Sequence, residues 1–193
     1  MDVEKLELFL KNRQRKVIPV EGYKPAASLV PLVLNGKIHL LITKRATHLK
    51  NHPGEFSFPG GHIENGDSSG LVTALRETEE EIGVSREQIR VLGALDDVVS
   101  VTKFHLVPFV GIIPYLNTYP FDKNEVASVH LIPLSSFLVQ PQIVTYYWKG
   151  EEKPSVVYDY YDIRIFGVTA LVIKKLVEIL DKSGFLETNK ELI

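Results

Sequence analysis

The sequence predicts an α/β sandwich, on three observations. Short segments with strand character recur between about residue 26 and residue 160. Segments with helical apolar spacing stand before, between and after them. The 193 residues carry 45% hydrophobic side chains, enough for one good-sized core. Strands mixed with two or three long helices fit one layered domain better than separate ones. No internal repeat, low-complexity stretch or linker interrupts the chain. Residues 1–193 are therefore read as a single domain, with residues 1–20 as an N-terminal helical extension.

Composition narrows function by exclusion. The formal net charge is -2 and neither sign dominates a long run, so a nucleic-acid-coating surface is not indicated. There is no cysteine, which excludes disulfides, thiolate metal sites and cysteine nucleophiles. The opening MDVEKLELFLKNRQRK is too charged for a secretory segment, and no apolar run reaches the roughly 18 residues a membrane span needs. The closing Glu191-Leu192-Ile193 is not a peroxisomal address. The expectation is a soluble, cytoplasmic protein with neither nucleic acid nor membrane as partner.

Residues 3–13 read as a docking helix, with Val3, Leu6 and Leu10 on one side, Phe9 beside them and Leu8 off the stripe. Arg13, Arg15 and Lys16 follow as a solvated stretch that could help hold an anion. Ala26–Leu34 and Lys37–Thr43 read as a hairpin, with Asn35-Gly36 as a type I′ turn. Residues 44–57 are read as a loop, closed by a short strand at Glu55–Phe58. Ser68 or Ser69 can cap the next helix, with Asp67 near its positive end. Leu71, Ala74, Leu75, Thr78 and Ile82 form its buried stripe, and Gly83 ends it.

Ile89–Val99 and Phe104–Ile113 read as long strands. The second is nearly continuous in apolar residues, as in a strand buried on both faces, and Pro108 suggests an edge or bulge. A polar loop at Asp122–Glu125 precedes a strand at Val126–Ile132 and a short helix at Leu134–Leu138. Ile143–Lys149 and Ser155–Tyr160 read as a hairpin across Gly150-Glu151-Glu152, and Phe166–Leu180 as an amphipathic helix.

The chemistry concentrates between Phe58 and Val84. A glycine-rich turn, Gly60-Gly61, leads to a helix with five ionisable residues among the six positions from Arg76 to Glu81. Glu77, Glu80 and Glu81 lie at i, i+3 and i+4 and share a face. Like charges at that spacing destabilise a helix unless a cation lies between them. A hard divalent ion, Mg²⁺ or Mn²⁺, suits an all-oxygen donor set, and glycines let a backbone carbonyl join it. Such a site suits phosphoryl chemistry.

These residues resemble the box of the Nudix hydrolases, GX5EX7REUXEEXGU with U aliphatic: Gly61, Arg76-Glu77, Glu80-Glu81, Gly83 and Val84 match. Three positions depart. Asp67 replaces the first Glu, eight residues rather than seven separate it from Arg76, and Thr78 replaces an aliphatic. A second motif resembles the coenzyme A pyrophosphatase branch, LLTxR(S/A)x3Rx3Gx3FPGG. It is matched by Leu41-Ile42-Thr43-Lys44-Arg45-Ala46, Lys50, Gly54 and Phe58-Pro59-Gly60-Gly61, with Lys50 in place of Arg. Ile165–Ala170, IFGVTA, resembles that branch's IWGaTA.

The resemblance implies an α/β/α sandwich with a mixed sheet. It implies metal binding by Glu77, Glu80, Glu81 and the Gly61 carbonyl, with Arg76 orienting a glutamate. Glu80, Glu81 and Glu125 are the candidate general bases. Arg45, Lys50 and Gly60 are the candidate substrate-binding residues. His48, His52 and His62 are read as structural or solvent-facing. The implied reaction cleaves the diphosphate of coenzyme A to 3′,5′-ADP and 4′-phosphopantetheine. One alternative is a pyrophosphatase for ADP-ribose or NADH, and a second is an inactive nucleotide-binding module. Members of the family are often dimers, which admits a homodimer here.

Overall fold

The structure is a computed structural model describing residues 2–193. At its centre lies β1 (Lys24–Asn35), which pairs antiparallel with β2 (Lys37–Arg45) and parallel with β7 (Phe104–Ile113). β3 (Phe56–Ser57) and β8 (Val126–Pro133) pair with β2, and β4 (Gly60–His62) pairs with β1. β5 (Arg90–Ala94) and β6 (Val98–Val99) pair with β7. The sheet is mixed, as expected.

Helices cover both faces because β1 is apolar on both. Val30 and Leu32 join a core with Leu6 and Leu10 of α1 (Glu4–Asn12) and with Val172, Ile173 and Leu176 of α3 (Gly167–Lys182). Leu29 and Val33 join the opposite core, with Ile82 of α2 (Gly70–Ile82). Leu8 is exposed, as its place off the α1 stripe predicts. A short α4 (Phe185–Thr188) follows α3. No helix among the described residues is long and apolar enough to cross a membrane.

Several local expectations are corrected. Asn35 pairs with Lys37 and is not at positive φ, so Gly36 alone, at φ +67°, makes the tip and no type I′ turn forms. Gly60-Gly61 is not a turn but part of β4, paired with Ser28 and Ala27. The Ile89–Val99 strand is split at Asp96 and Asp97. Pro108 sits inside the sheet, not at an edge. Its carbonyl accepts from the Leu95 N–H, so its missing N–H faces the gap between β5 and β6.

Arg13 and Arg15 do not form a solvated stretch. They pair with Asp96 at 2.6 Å and with fully buried Asp97 at 3.1 Å, and His105 meets Asp97 at 2.6 Å. This clasp binds the segment after α1 to the β5–β6 connection.

A second sheet contains β9 (Gln142–Trp148), β10 (Glu151–Tyr160) and β11 (Ile163–Phe166), in the order β11-β10-β9. Its hairpin turns at Lys149-Gly150, both at positive φ, so Glu151 and Glu152 belong to the strand. Phe166 is extended and closes β11, so α3 begins at Gly167.

Candidate active site

Local chemistry fixes α2 at both ends. Ser69 is extended and its side chain accepts from the Val72 N–H, while Gly83, in the left-handed region, closes the last turn. Thr73, Ala74, Thr78 and Ile82 are buried, and Leu71 and Leu75 are half-buried. Thr78 stands where the motif has an aliphatic. Its hydroxyl donates to the Ala74 carbonyl at 2.6 Å, so the polar atom is satisfied within the helix.

Three carboxylates converge beside this helix. Oxygens of Glu77, Glu81 and Glu125 all lie within 4.8 Å of one another. Glu77 and Glu81 come from successive turns of α2. Glu125 comes from the turn before β8, and backbone bonds bring it there. The Asp122 N–H donates to the Glu81 carbonyl at 3.1 Å, and the Ala46 N–H donates to the Glu125 carbonyl at 2.8 Å. The turn is thereby fastened both to the end of α2 and to the segment after β2.

Burial sets the electrostatics. Glu81 is 3% exposed, and burial pushes its carboxyl up to about 8, against a weaker lowering by the Gly60 N–H and by Arg45. Burial also raises Glu77, although Arg76 opposes it. Burial thus opposes ionisation at both Glu77 and Glu81, and a bound cation would act in the other direction. The donors are all oxygens, a set that suits a hard divalent cation.

The glycines make room for this cluster. A Cβ on Gly61 would lie 2.3 Å from Glu77 Oε1, and one on Gly60 would lie 2.5 Å from the Ala27 carbonyl oxygen. Close approach, not positive φ, requires glycine at both positions. The Gly60 N–H also donates to Glu81 Oε1 at 3.4 Å.

Arg76 organises the outer side. Its guanidinium meets Glu77 Oε1 at 2.9 Å, Glu80 Oε2 at 2.9 Å and Asp67 Oδ2 at 3.1 Å. Arg76, the Glu64 N–H and the Thr73 hydroxyl together hold the Asp67 carboxyl down at about 2. Asp67 therefore braces Arg76; the Ser69 side chain is what caps the helix. Its place at the motif's first acidic position is the sequence signal for this role. The one-residue insertion is absorbed next to a turn in which the Asp67 N–H donates to the Glu64 carbonyl at 3.0 Å. Asp67→Asn is expected to loosen Arg76 and lower kcat about tenfold, with less change in KM. Steady-state kinetics with the metal at saturation check this.

The remaining site residues are distributed unevenly. Glu80 points outward, 58% exposed, and lies outside the three-carboxylate group. Arg45, at the end of β2, is close enough to Glu81 to favour its ionisation, and its buried Nε has no hydrogen-bond partner. Lys50 is exposed in the following loop, and no ion pair ties it to the cluster among the described residues. His48, His52 and His62 are exposed. His52 meets Glu55 at 2.9 Å, and the His62 ring lies 4.8 Å from that of Phe104.

A mixed sheet flanked by helices, with three converging carboxylates beside a glycine strand, defines an α/β protein with a candidate metal site. Residues 22–153 match the model of the NUDIX domain. An uncharacterized Nudix hydrolase NudL from Enterobacter sp. (strain 638) is 41% identical over 133 residues, covering 69% of each chain. The NudL of Yersinia enterocolitica is 37% identical over 158 residues, covering 79% of this chain and 80% of that one. Among solved structures, a MutT/nudix family protein from Enterococcus faecalis superposes with a TM-score of 0.50 at 15% identity, over 94% of this chain and 75% of that one. The chain belongs to the Nudix hydrolase family, and is a pyrophosphohydrolase by class.

Proposed function

We propose that this enzyme hydrolyses the diphosphate bond of coenzyme A or its derivatives, releasing 3′,5′-ADP and 4′-phosphopantetheine or its acyl form. The observation that carries the substrate reading is Arg45. It sits in the LITKRA segment that runs, through Lys50 and Gly54, to FPGG, and its buried Nε lacks a partner beside the carboxylate cluster. A phosphate oxygen would satisfy that donor, and arginine can grip phosphate with two bonds.

Glu77, Glu81 and the Gly61 carbonyl would hold Mg²⁺ or Mn²⁺, with Glu80 available at the outer side and Glu125 left free to act as base. A bound divalent ion neutralises the diphosphate and acidifies a water. The protein's own groups do the rest. Arg76 fixes the direction of Glu77 and Glu80. Arg45 and Lys50 bind and align phosphate, and the Gly60 backbone allows close approach. Glu125 takes the proton of the attacking water. It is chosen over Glu80 and Glu81 because Arg76 holds Glu80 and the Gly60 N–H holds Glu81, whereas the Glu125 carboxylate has no protein partner among the described residues.

The test is turnover of coenzyme A, acetyl-coenzyme A, ADP-ribose and NADH with each metal, with products read by mass. Arg45→Ala is expected to raise KM for coenzyme A by about ten- to a hundredfold, as loss of a charged hydrogen bond of about 1.5–3 kcal/mol implies. Lys50→Ala should raise it less, since Lys50 is exposed. Equal turnover of ADP-ribose, with coenzyme A kinetics unmoved in both variants, would replace this reading with the ADP-ribose or NADH one.

A further inference from the structure

β8 is an open edge of the large sheet. Among the described residues it pairs with β2 on one side and with no strand on the other. The register identifies its free backbone groups. The Ala46 N–H donates to the Glu125 carbonyl, on the β8 side of β2, whereas the Arg45 N–H donates to the Glu55 carbonyl, on the other side. Alternation then turns the backbone groups of Leu40, Ile42 and Lys44 toward β8, where they meet Ile132, His130 and Ser128. The N–H and C=O of Val129 and Leu131 point out from the edge. Pro133 agrees independently, because it is the next outward residue and has no N–H to give. No other backbone group bonds those of Val129 and Leu131 among the described residues.

This edge lines a cavity of about 390 Å³, a size that suits a small molecule. Val129 and Leu131 lie on one side, and Tyr115, Asn117, Thr118 and Phe121 of the segment after β7 on the other. Buried Tyr119 stiffens that segment, its hydroxyl donating to the Pro114 carbonyl at 2.9 Å. No charged side chain lines the cavity. Both of its sides run into the active site. Phe121 precedes Asp122, whose N–H donates to the Glu81 carbonyl, and Ser128, also in the lining, follows Glu125 by three residues.

We propose that this cavity holds the pantetheine arm of coenzyme A, laid along β8 with its amides bonded to the outward N–H and C=O of Val129. The inference rests on the coenzyme A reading and adds where each half of the substrate lies. Charge decides between the halves. The nucleotide half carries a 3′-phosphate, which needs cations, and the cavity offers none. Arg45 and Lys50 serve that half instead. The pantetheine half is uncharged, with a hydroxyl and two amides. It meets a lining of free backbone groups, Asn117, Thr118 and aromatic rings. Its length agrees as well. The arm matches roughly four extended residues, about 13 Å, which is about the run of chain from Glu125 to Val129. Main-chain bonds along a sheet edge are an established source of affinity for an extended amide chain.

The deciding probe is pantetheine itself, which has no phosphate and needs no metal. It is titrated to millimolar concentration into the native chain while backbone amides are followed by nuclear magnetic resonance. The Val129 amide is expected to shift most, with those of Leu131 and Thr118 moving less, and 3′,5′-ADP is expected to leave all three in place. Amides that ignore pantetheine, or that answer to 3′,5′-ADP instead, overturn the proposal. Kinetics give a second reading. Val129→Pro removes the outward N–H at an edge position, where proline is tolerated. It is expected to raise KM for coenzyme A about three- to tenfold, as loss of one neutral hydrogen bond implies, and to leave inhibition by the product 3′,5′-ADP unchanged. An unchanged KM, or inhibition that weakens in step with it, overturns the placement of the arm. Should Val129→Pro fail to fold by circular dichroism, the pantetheine titration decides alone. The two readings fail separately. Coenzyme A hydrolysed by a protein whose Val129 amide ignores pantetheine refutes this site only, whereas pantetheine bound there by a protein that never cleaves coenzyme A refutes the substrate reading only.

Discussion

Glu81→Gln is expected to lower kcat by at least about a hundredfold, because a metal's stabilisation of the transition state is worth several kcal/mol and about 1.4 kcal/mol is tenfold. The same variant should make the metal-free protein more stable at pH 8. The Glu81 carboxyl rises on folding from 4.5 to about 8, so the folded state holds its proton more tightly than the unfolded chain does. Its contribution to stability is complete below pH 4.5 and is lost as the pH climbs through about 8. The metal-free wild type should therefore melt lower at pH 8 than at pH 6 by the part that Glu81 controls, and the glutamine variant should lack that part. Metal binding must displace the same proton. The Tm gain on adding Mg²⁺ or Mn²⁺ should be small near pH 6, large near pH 8.5, and nearly absent in Glu81→Gln. Scanning calorimetry at the two pH values, with and without metal, reads all of these. An equal metal-induced gain in wild type and variant would remove Glu81 from the metal site.

Much of this site is legible in the sequence because it is written locally. Helical spacing alone places Glu77 and Glu81 together, and Ser69 and Gly83 mark the ends of α2 by their own conformational preferences. The two-sided burial of β1 follows from an apolar run broken only by Ser28 and Pro31. What fails locally fails for a physical reason. Gly60-Gly61 resembles a turn because glycine usually signals one, yet here it serves close packing against Glu77 and Ala27. The hairpin at Lys149-Gly150 is displaced from its expected place because a lysine adopts positive φ. Arg13 and Arg15 look solvated until Asp96 and Asp97, some 80 residues away, are brought beside them. Glu125 is a candidate base in the sequence only through the family resemblance. Its convergence on Glu77 and Glu81 depends on backbone bonds from Asp122 and Ala46 that no periodicity announces.

The two adjacent glycines give the sharpest separation of function from stability. A Cβ on Gly60 meets the Ala27 carbonyl oxygen at 2.5 Å and Ser28 Cα at 2.6 Å, both backbone of the central strand. That strand is buried on both faces and cannot retreat. Gly60→Ala should cost about 1–3 kcal/mol, a Tm loss of several degrees. For a Cβ on Gly61 the three nearest atoms all belong instead to the Glu77 carboxylate, at 2.3 to 2.8 Å. That group is the far end of a flexible side chain, and it can swing away at little cost to the fold. Gly61→Ala should leave the metal-free Tm nearly unchanged. It should lower kcat about a hundredfold, because a displacement of about 1 Å in a positioned group has that effect. Its metal-induced Tm gain should shrink in parallel. Shortening the displaced side chain tests the cause: Glu77→Asp in the Gly61→Ala background withdraws the carboxylate by one methylene and should recover part of the metal response. Full activity in Gly61→Ala would mean that Glu77 does its work away from the position it occupies here. The three-carboxylate cluster would then lose the member that Arg76 is built to hold.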